Sequence, residues 1–205
     1  MNIFVLDEDP VKAAQALDCV RVPKMVTESA QMMASAVRRW GATDDVMPLT
    51  KAGKPYKGGY ANHPCTIWAG DAFGNFAWLA DHAMALCVEY TSRFGKVHAC
   101  ADPISQLWHV GIVVSPSHRR TTTPFALAMP DEYRPNHQPR VGPTFQEGQM
   151  IYRSEVKGDS HASGDDAVQA YRRYYHSKIH SAGGVHYRHT NPPDWWQGTP
   201  VEVKI

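Results

Sequence analysis

The chain has 205 residues, a formal net charge of +1, 43% hydrophobic and 20% charged residues; this balance fits a globular protein able to bury a core and excludes disordered, collagen-like and coiled-coil classes. No run approaches the roughly 20 apolar residues of a membrane span, and the opening NIFVLDEDP soon turns acidic, so neither a spanning helix nor a secretory leader is expected and the expected location is cytoplasmic. Four cysteines (Cys19, Cys65, Cys87, Cys100) without a C-x-x-C pair read as reduced thiols.

In chain order, Asn2 to Leu6 is an apolar run too short for a helix and reads as a brief strand or an extended arm. Asp9-Pro10 supplies a side-chain acceptor at the cap and a donor-free residue in the first turn, so a helix is predicted from Pro10 to about Asp18. Pro23 can open a second helix, in which Met25, Val26, Met32, Met33, Ala36, Val37 and Trp40 recur at helical spacing until Gly41 stops it. Thr43 to Tyr60 is turn-rich. A short helical piece starts at Pro64, and Asn75 to Phe94 is a long helix ended by Gly95. Asp102-Pro103 repeats the cap-plus-proline start, and that helix runs until Pro116.

Between Pro116 and Gly164 the prolines and polar residues thicken, and loops with one extended pair are expected. Ser163 to Asp166 has the spacing of a capping box ahead of a helix reaching about His180. Asn191 to Trp196 begins a proline-fixed tail within 190–205. The expected fold is mostly α: one compact multi-helix domain over 1–205, with a short N-terminal extended arm and a loop-rich region near 117–162.

Several residue groups bear on chemistry. His176 and His180 stand four apart on one helix, a spacing that can chelate a metal, but no glutamate follows His176 in the H-E-x-x-H manner. No metal and no small-molecule cofactor is expected. Tyr171-Arg172-Arg173-Tyr174-Tyr175 interleaves cations with aromatic rings, as nucleic-acid binders do, cations meeting phosphate and rings meeting bases; tyrosines on an amphipathic helix also serve as core residues. His63-Pro64 precedes a helix start, where free N–H groups favour an anion such as phosphate. Glu28, with Lys24 and Thr27 beside it, is either a solvated helix carboxylate or an acidic catalyst able to stabilise a cationic sugar intermediate. Walker, dinucleotide-fingerprint and serine-elbow motifs are absent from the sequence.

The stretch Ala16-Leu-Asp-Cys-Val-Arg-Val-Pro-Lys-Met-Val-Thr-Glu28 resembles the amino-terminal part of the phage pyrimidine-dimer DNA glycosylase/AP lyase family of the endonuclease V type. In that family an L-x-D-x-H segment is followed, seven residues after its histidine, by a catalytic glutamate; Arg21 and Glu28 hold that spacing here. Two positions depart from the pattern: Arg21 stands where the histidine is expected, and Asp18 lies one place early. Asn75 to Lys96 looks like the family's long central helix, Tyr171 to Tyr175 like its aromatic, basic C-terminal segment, and the NHPC and ALAMPDEY segments are similar to those of small uncharacterised phage proteins.

The resemblance implies an enzyme that binds duplex DNA, extrudes a damaged or modified pyrimidine and attacks its glycosidic carbon, with Glu28 as the acidic catalyst and Arg21 on phosphate. Lys24, His63, Arg172, Arg173, Tyr174 and Tyr175 would contact the DNA. The family's nucleophile is the α-amine exposed by methionine removal; the bulk of Asn2 disfavours that removal, so the amine of Met1 would have to serve, a group whose ordinary pKa of about 7.7–8.0 leaves a neutral fraction at pH 7. A base-hypermodifying transferase acting on a flipped pyrimidine is one alternative. A non-enzymatic interaction protein, presenting the tyrosine helix and Trp195-Trp196 to a partner, is another.

Overall fold

Asp9 accepts the backbone N–H groups of Val11 (2.8 Å) and Lys12 (3.2 Å) and so opens α1 (Pro10–Gln15) in the computed structural model, which describes residues 1–139, 141–146 and 149–198. This helix stops three residues short of the predicted Asp18. The reason is that Arg93 reaches in from another helix and donates to the carbonyls of Leu17 (2.5 Å) and Gln15 (3.0 Å), while its guanidinium also holds Glu89. Open carbonyls at the helix end are thereby satisfied from outside.

Asp18 instead begins the next element. Its carbonyl accepts from the N–H groups of Arg21 and Val22, and α2 (Arg21–Arg39) starts two residues before Pro23. A proline in the first turn is tolerated because no intrahelical N–H bond is lost there. The helix buries the predicted stripe of Met25, Val26, Met32, Met33, Ala36 and Val37. It ends at Gly41, whose φ of +98° is open to glycine. The segment after it crosses the surface through a short 3₁₀ turn and a Leu49–Pro55 bridge.

Two helices in succession, α3 (Pro64–Asp71) and α4 (Phe73–Phe94), follow, and the longer one begins two residues ahead of the predicted Asn75. Gly95 ends it in the left-handed region at φ +63°. Helix α5 (Ala101–Val114) starts just before Asp102, which lies in its first turn rather than at its cap. Helices α2 and α4 pack on each other and on α3 and α5, α4 also packs on α1, and the two form the centre of the core.

The loop-rich region holds two short antiparallel pairs rather than one. β1 (Phe125–Ala126) pairs with β4 (His161–Ala162), and β2 (Val141–Gln146) with β3 (Gln149–Arg153). Residues 140, 147 and 148 of this region and residues 199–205 of the expected tail lie outside the described residues. The last helix, α6 (Gly164–His176), continues as a 3₁₀ turn over Ser177–His180, and Ser163 sits at its cap position without a side-chain bond. The fold is mostly α, with six α-helices among the described residues.

One buried group makes the stability of this core depend on pH. His82 of α4 is fully buried, stacks on Trp78, and donates from Nδ1 to the Pro10 carbonyl (3.0 Å), while Nε2 has no partner. Burial lowers its pKa to about 4, so the ring is neutral in the fold, whereas in the unfolded chain it titrates near 6.5. Between those values the unfolded state binds more protons, and stability falls as the pH drops through the window. We expect this histidine to account for a loss of about 2–3 kcal/mol between pH 7 and pH 4.5. Urea unfolding at both values should show a smaller pH-dependent loss in His82→Gln than in the parent; equal losses would exclude the buried ring as the cause.

Candidate active site

The N-terminal arm is extended but belongs to no strand. Met1 to Leu6 threads through the interior, with Ile3, Val5 and Leu6 wholly buried. Asn2 shapes it: its Oδ1 accepts the N–H groups of Ile3 (2.8 Å) and Phe4 (2.9 Å), and its Nδ2 donates to the Ala128 carbonyl (2.8 Å). Phe4 takes φ +39°, a region that non-glycine residues enter rarely. The turn persists because the Phe4 ring is packed among Tyr171, Tyr174 and Tyr175, with ring centroids 5.5–6.3 Å apart.

That bend brings the start of the chain to one carboxylate. Glu28 of α2 accepts the Asn2 N–H on Oε2 (3.0 Å), and its Oε1 lies 3.7 Å from the α-amine of Met1 and 3.6 Å from Lys24 Nζ. The side chain of Glu28 retains 13% exposure, between the sealed and the solvated extremes. It opens onto a cleft of about 280 Å³, whose walls include Met1, Asn2, Phe4, Tyr174 and Lys178. A carboxylate that touches an amine and a lysine at the edge of a cleft can take up a proton from the amine and stabilise positive charge beside it.

The other candidate residues distribute unevenly. Arg21 borders the cleft, but its guanidinium is held from behind: Nη1 donates to Asp18 Oδ2 (2.6 Å) and to the Gly184 carbonyl (2.9 Å), and the group lies over the Tyr175 ring. Tyr175 is fully buried and donates its hydroxyl to the same carboxylate; burial, reinforced by Asp18, raises its pKa well above the ordinary tyrosine value. Tyr174 lies on the cleft wall. Arg173 is exposed and donates to the Tyr133 carbonyl (2.9 Å).

Arg172 lies in a different cleft, of about 510 Å³, on the far stretch of the arm. There it donates to the Leu6 carbonyl (3.0 Å), faces Asp7 at 3.9 Å and lies 5.0 Å over the Trp195 ring. The structure therefore brings Met1, Arg21, Lys24, Glu28 and Tyr174 to one cleft and leaves Arg172 outside it.

His63 caps α3 with Nδ1, accepting the Cys65 N–H at 3.2 Å. Burial lowers its pKa, the Met1 amine lowers it further and Glu28 opposes the change, so the ring is a neighbour of the same charges. The first turn of that helix leans on the arm, since Thr66 donates to the Met1 sulfur (3.3 Å). Cys65 is no nucleophile: burial pushes its thiol up to about 12.

The histidine pair does not share one helix, since His176 ends α6 and His180 ends the 3₁₀ turn beyond it. His176 stacks on Trp196, with centroids 4.7 Å apart, and among the described residues no three metal-ligating side chains come together.

Sequence reasoning missed Asn2, Phe4 and Lys178. The first two carry no local signal, because the bend depends on the Ala128 carbonyl 126 positions away. Lys178 stood inside the predicted last helix, yet only the turn beyond His176 aims it at the cleft.

Residues 1–102 match the family described as pyrimidine dimer DNA glycosylase. No curated protein and no solved structure matches the chain.

Proposed function

We propose, from the premise that over residues 1–102 the chain belongs to the pyrimidine dimer DNA glycosylase family, that this DNA-acting enzyme uses the α-amine of Met1 as nucleophile and Glu28 as its acid–base partner. The observation that carries the reading is the approach of Glu28 Oε1 to that amine, 3.7 Å, at an open cleft. The partner is duplex DNA, and the reacting nucleotide leaves the stack, because C1′ is out of reach within a stacked helix.

The steps follow from the two groups. Glu28 accepts a proton from the ammonium and frees its lone pair. The amine nitrogen bonds to C1′ as the C1′–N bond to the base breaks, and the departing base takes the proton that the bonded nitrogen gives up. Glu28 then gives the proton it holds to the ring oxygen as the sugar ring opens, which leaves a cationic imine between Met1 and C1′ and restores the carboxylate. Loss of a C2′ proton then expels the 3′ phosphate and cuts the strand, and water releases the amine. Glu28 stays beside the cationic imine throughout, where a fixed negative charge in a partly dehydrated cleft has its largest effect. Lys24 and Tyr174 line the same opening; an ammonium and an aromatic ring are side chains suited to a backbone phosphate and an unstacked base respectively.

The test is to incubate the protein with ultraviolet-irradiated and with abasic duplexes, with and without borohydride. We expect nicked strands without the reductant and a covalent adduct with it, mapped by peptide mass to residue 1. Base release with no adduct would leave a glycosylase that uses water and remove the amine from the mechanism.

A further inference from the structure

Besides the Met1 amine, three cationic side chains border the Glu28 cleft, and they differ in what holds them. Arg21 is engaged by Asp18, the Gly184 carbonyl and the Tyr175 ring. Lys24 faces Glu28 at 3.6 Å. Lys178 has no carboxylate partner among the described residues; its ammonium rests 3.7 Å from the centroid of the Tyr174 ring. Tyr174 is stacked near-parallel to Phe4 (centroids 6.1 Å apart, 15° between planes) and touches Tyr133 at a tilt. Lys178 therefore covers part of the ring that a base entering the cleft would use.

From this arrangement we infer that Lys178 is a DNA-positioning residue: its ammonium, resting on Tyr174 in the free protein, transfers to a backbone phosphate when DNA docks and uncovers the ring for the unstacked nucleotide. The direction follows from relative strength, since a cation on a half-buried ring at the edge of a cleft is held more weakly than a charge-assisted bond to phosphate. The four-carbon stem and its rotatable ammonium suit such a transfer. The inference rests on the proposed DNA chemistry of the same cleft, and it places one wall of the site in the segment 174–182, outside the residues that match the family.

The experiment uses the full chain and a duplex with a tetrahydrofuran abasic analogue, which cannot form an imine. Affinity is measured across a salt series for the parent, Lys178→Gln and Lys178→Arg. We expect Lys178→Gln to bind about five- to tenfold more weakly near 0.1 M salt, with a slope of log K against log salt shallower by about 0.9, the share of one phosphate. Lys178→Arg should restore both. A duplex with 2-aminopurine at the target position reports stacking: its fluorescence should rise as the base leaves the duplex, and rise less with the parent, where Tyr174 quenches the extruded base, than with Tyr174→Leu.

An unchanged salt slope in Lys178→Gln would overturn the phosphate role, and an equal rise with the parent and Tyr174→Leu would overturn the uncovering of the ring. If the parent traps substrate with borohydride while either of these results is obtained, this inference fails alone. If the parent neither binds the duplex nor traps substrate, the reading of the cleft fails with it.

Discussion

Glu28→Gln is expected to slow base release from ultraviolet-irradiated duplex by about 10²–10⁴-fold, the range in which positioned acid–base groups contribute. The amide is close to the carboxylate in shape and can still accept the Asn2 N–H, so the arm should keep its course. What disappears is the charge that faces both the Met1 amine and Lys24. Without it the ammonium has no nearby acceptor for its proton, and the cationic imine loses its counter-charge. Single-turnover kinetics at saturating protein would measure the rate, and borohydride trapping would measure the intermediate. Circular dichroism should remain that of the parent. A rate within threefold of the parent would falsify the assignment of Glu28.

The largest loss of stability is expected at Asp18. Its carboxylate is completely buried and accepts from Arg21, from the Tyr175 hydroxyl and from the Val20 N–H (2.7 Å). Asp18→Ala leaves a guanidinium nearly out of water with one carbonyl for company, and a buried hydroxyl without its acceptor. Breaking a buried pair from one side costs about 3–5 kcal/mol, and for a chain of this size that corresponds to a fall in Tm of roughly 6–20 °C. Thermal and urea unfolding would measure it; a loss below about 1 kcal/mol would mean that water reaches the pair. The same variant should loosen the cleft, because Arg21 and Tyr175 tie the start of α2 to α6.

Arg21 also marks how far the sequence could be read. Its place seven residues before Glu28 was visible, and so was the stripe that turns α2 toward the core. Its full occupation was not, because two of the three groups that hold it, Tyr175 and the Gly184 carbonyl, are more than 150 positions away, and only Asp18 is local. Helix starts that depend on adjacent residues, such as Asp9-Pro10, were legible for the same reason that the end of α1 was not: a cap is local, whereas Arg93 arrives from a distant helix.

The aromatic, basic helix was legible as a composition but not as a set of faces. Residues 167, 168, 170, 171 and 175 form its buried face, so Tyr171 and Tyr175 turn inward, while Tyr174 and Arg173 remain on other faces. The core reading therefore holds for Tyr171 and Tyr175, while Tyr174 stands half-buried on the cleft wall. The bend of the arm at Phe4 had no sequence counterpart, since nothing in NIFVL demands a left-handed residue.

The route of that arm has a further consequence for when the protein becomes reactive. The amine and the carboxylate meet only after a segment from the far side of position 100 has closed over Asn2 through Ala128. Such distant contacts form late relative to single helices. A nascent or partly opened chain thus carries an amine with no acceptor beside it and no hollow in front of it. On the proposed mechanism, the pairing of the amine with its acid–base partner is thus a property of the completed fold and not of the N-terminal segment alone.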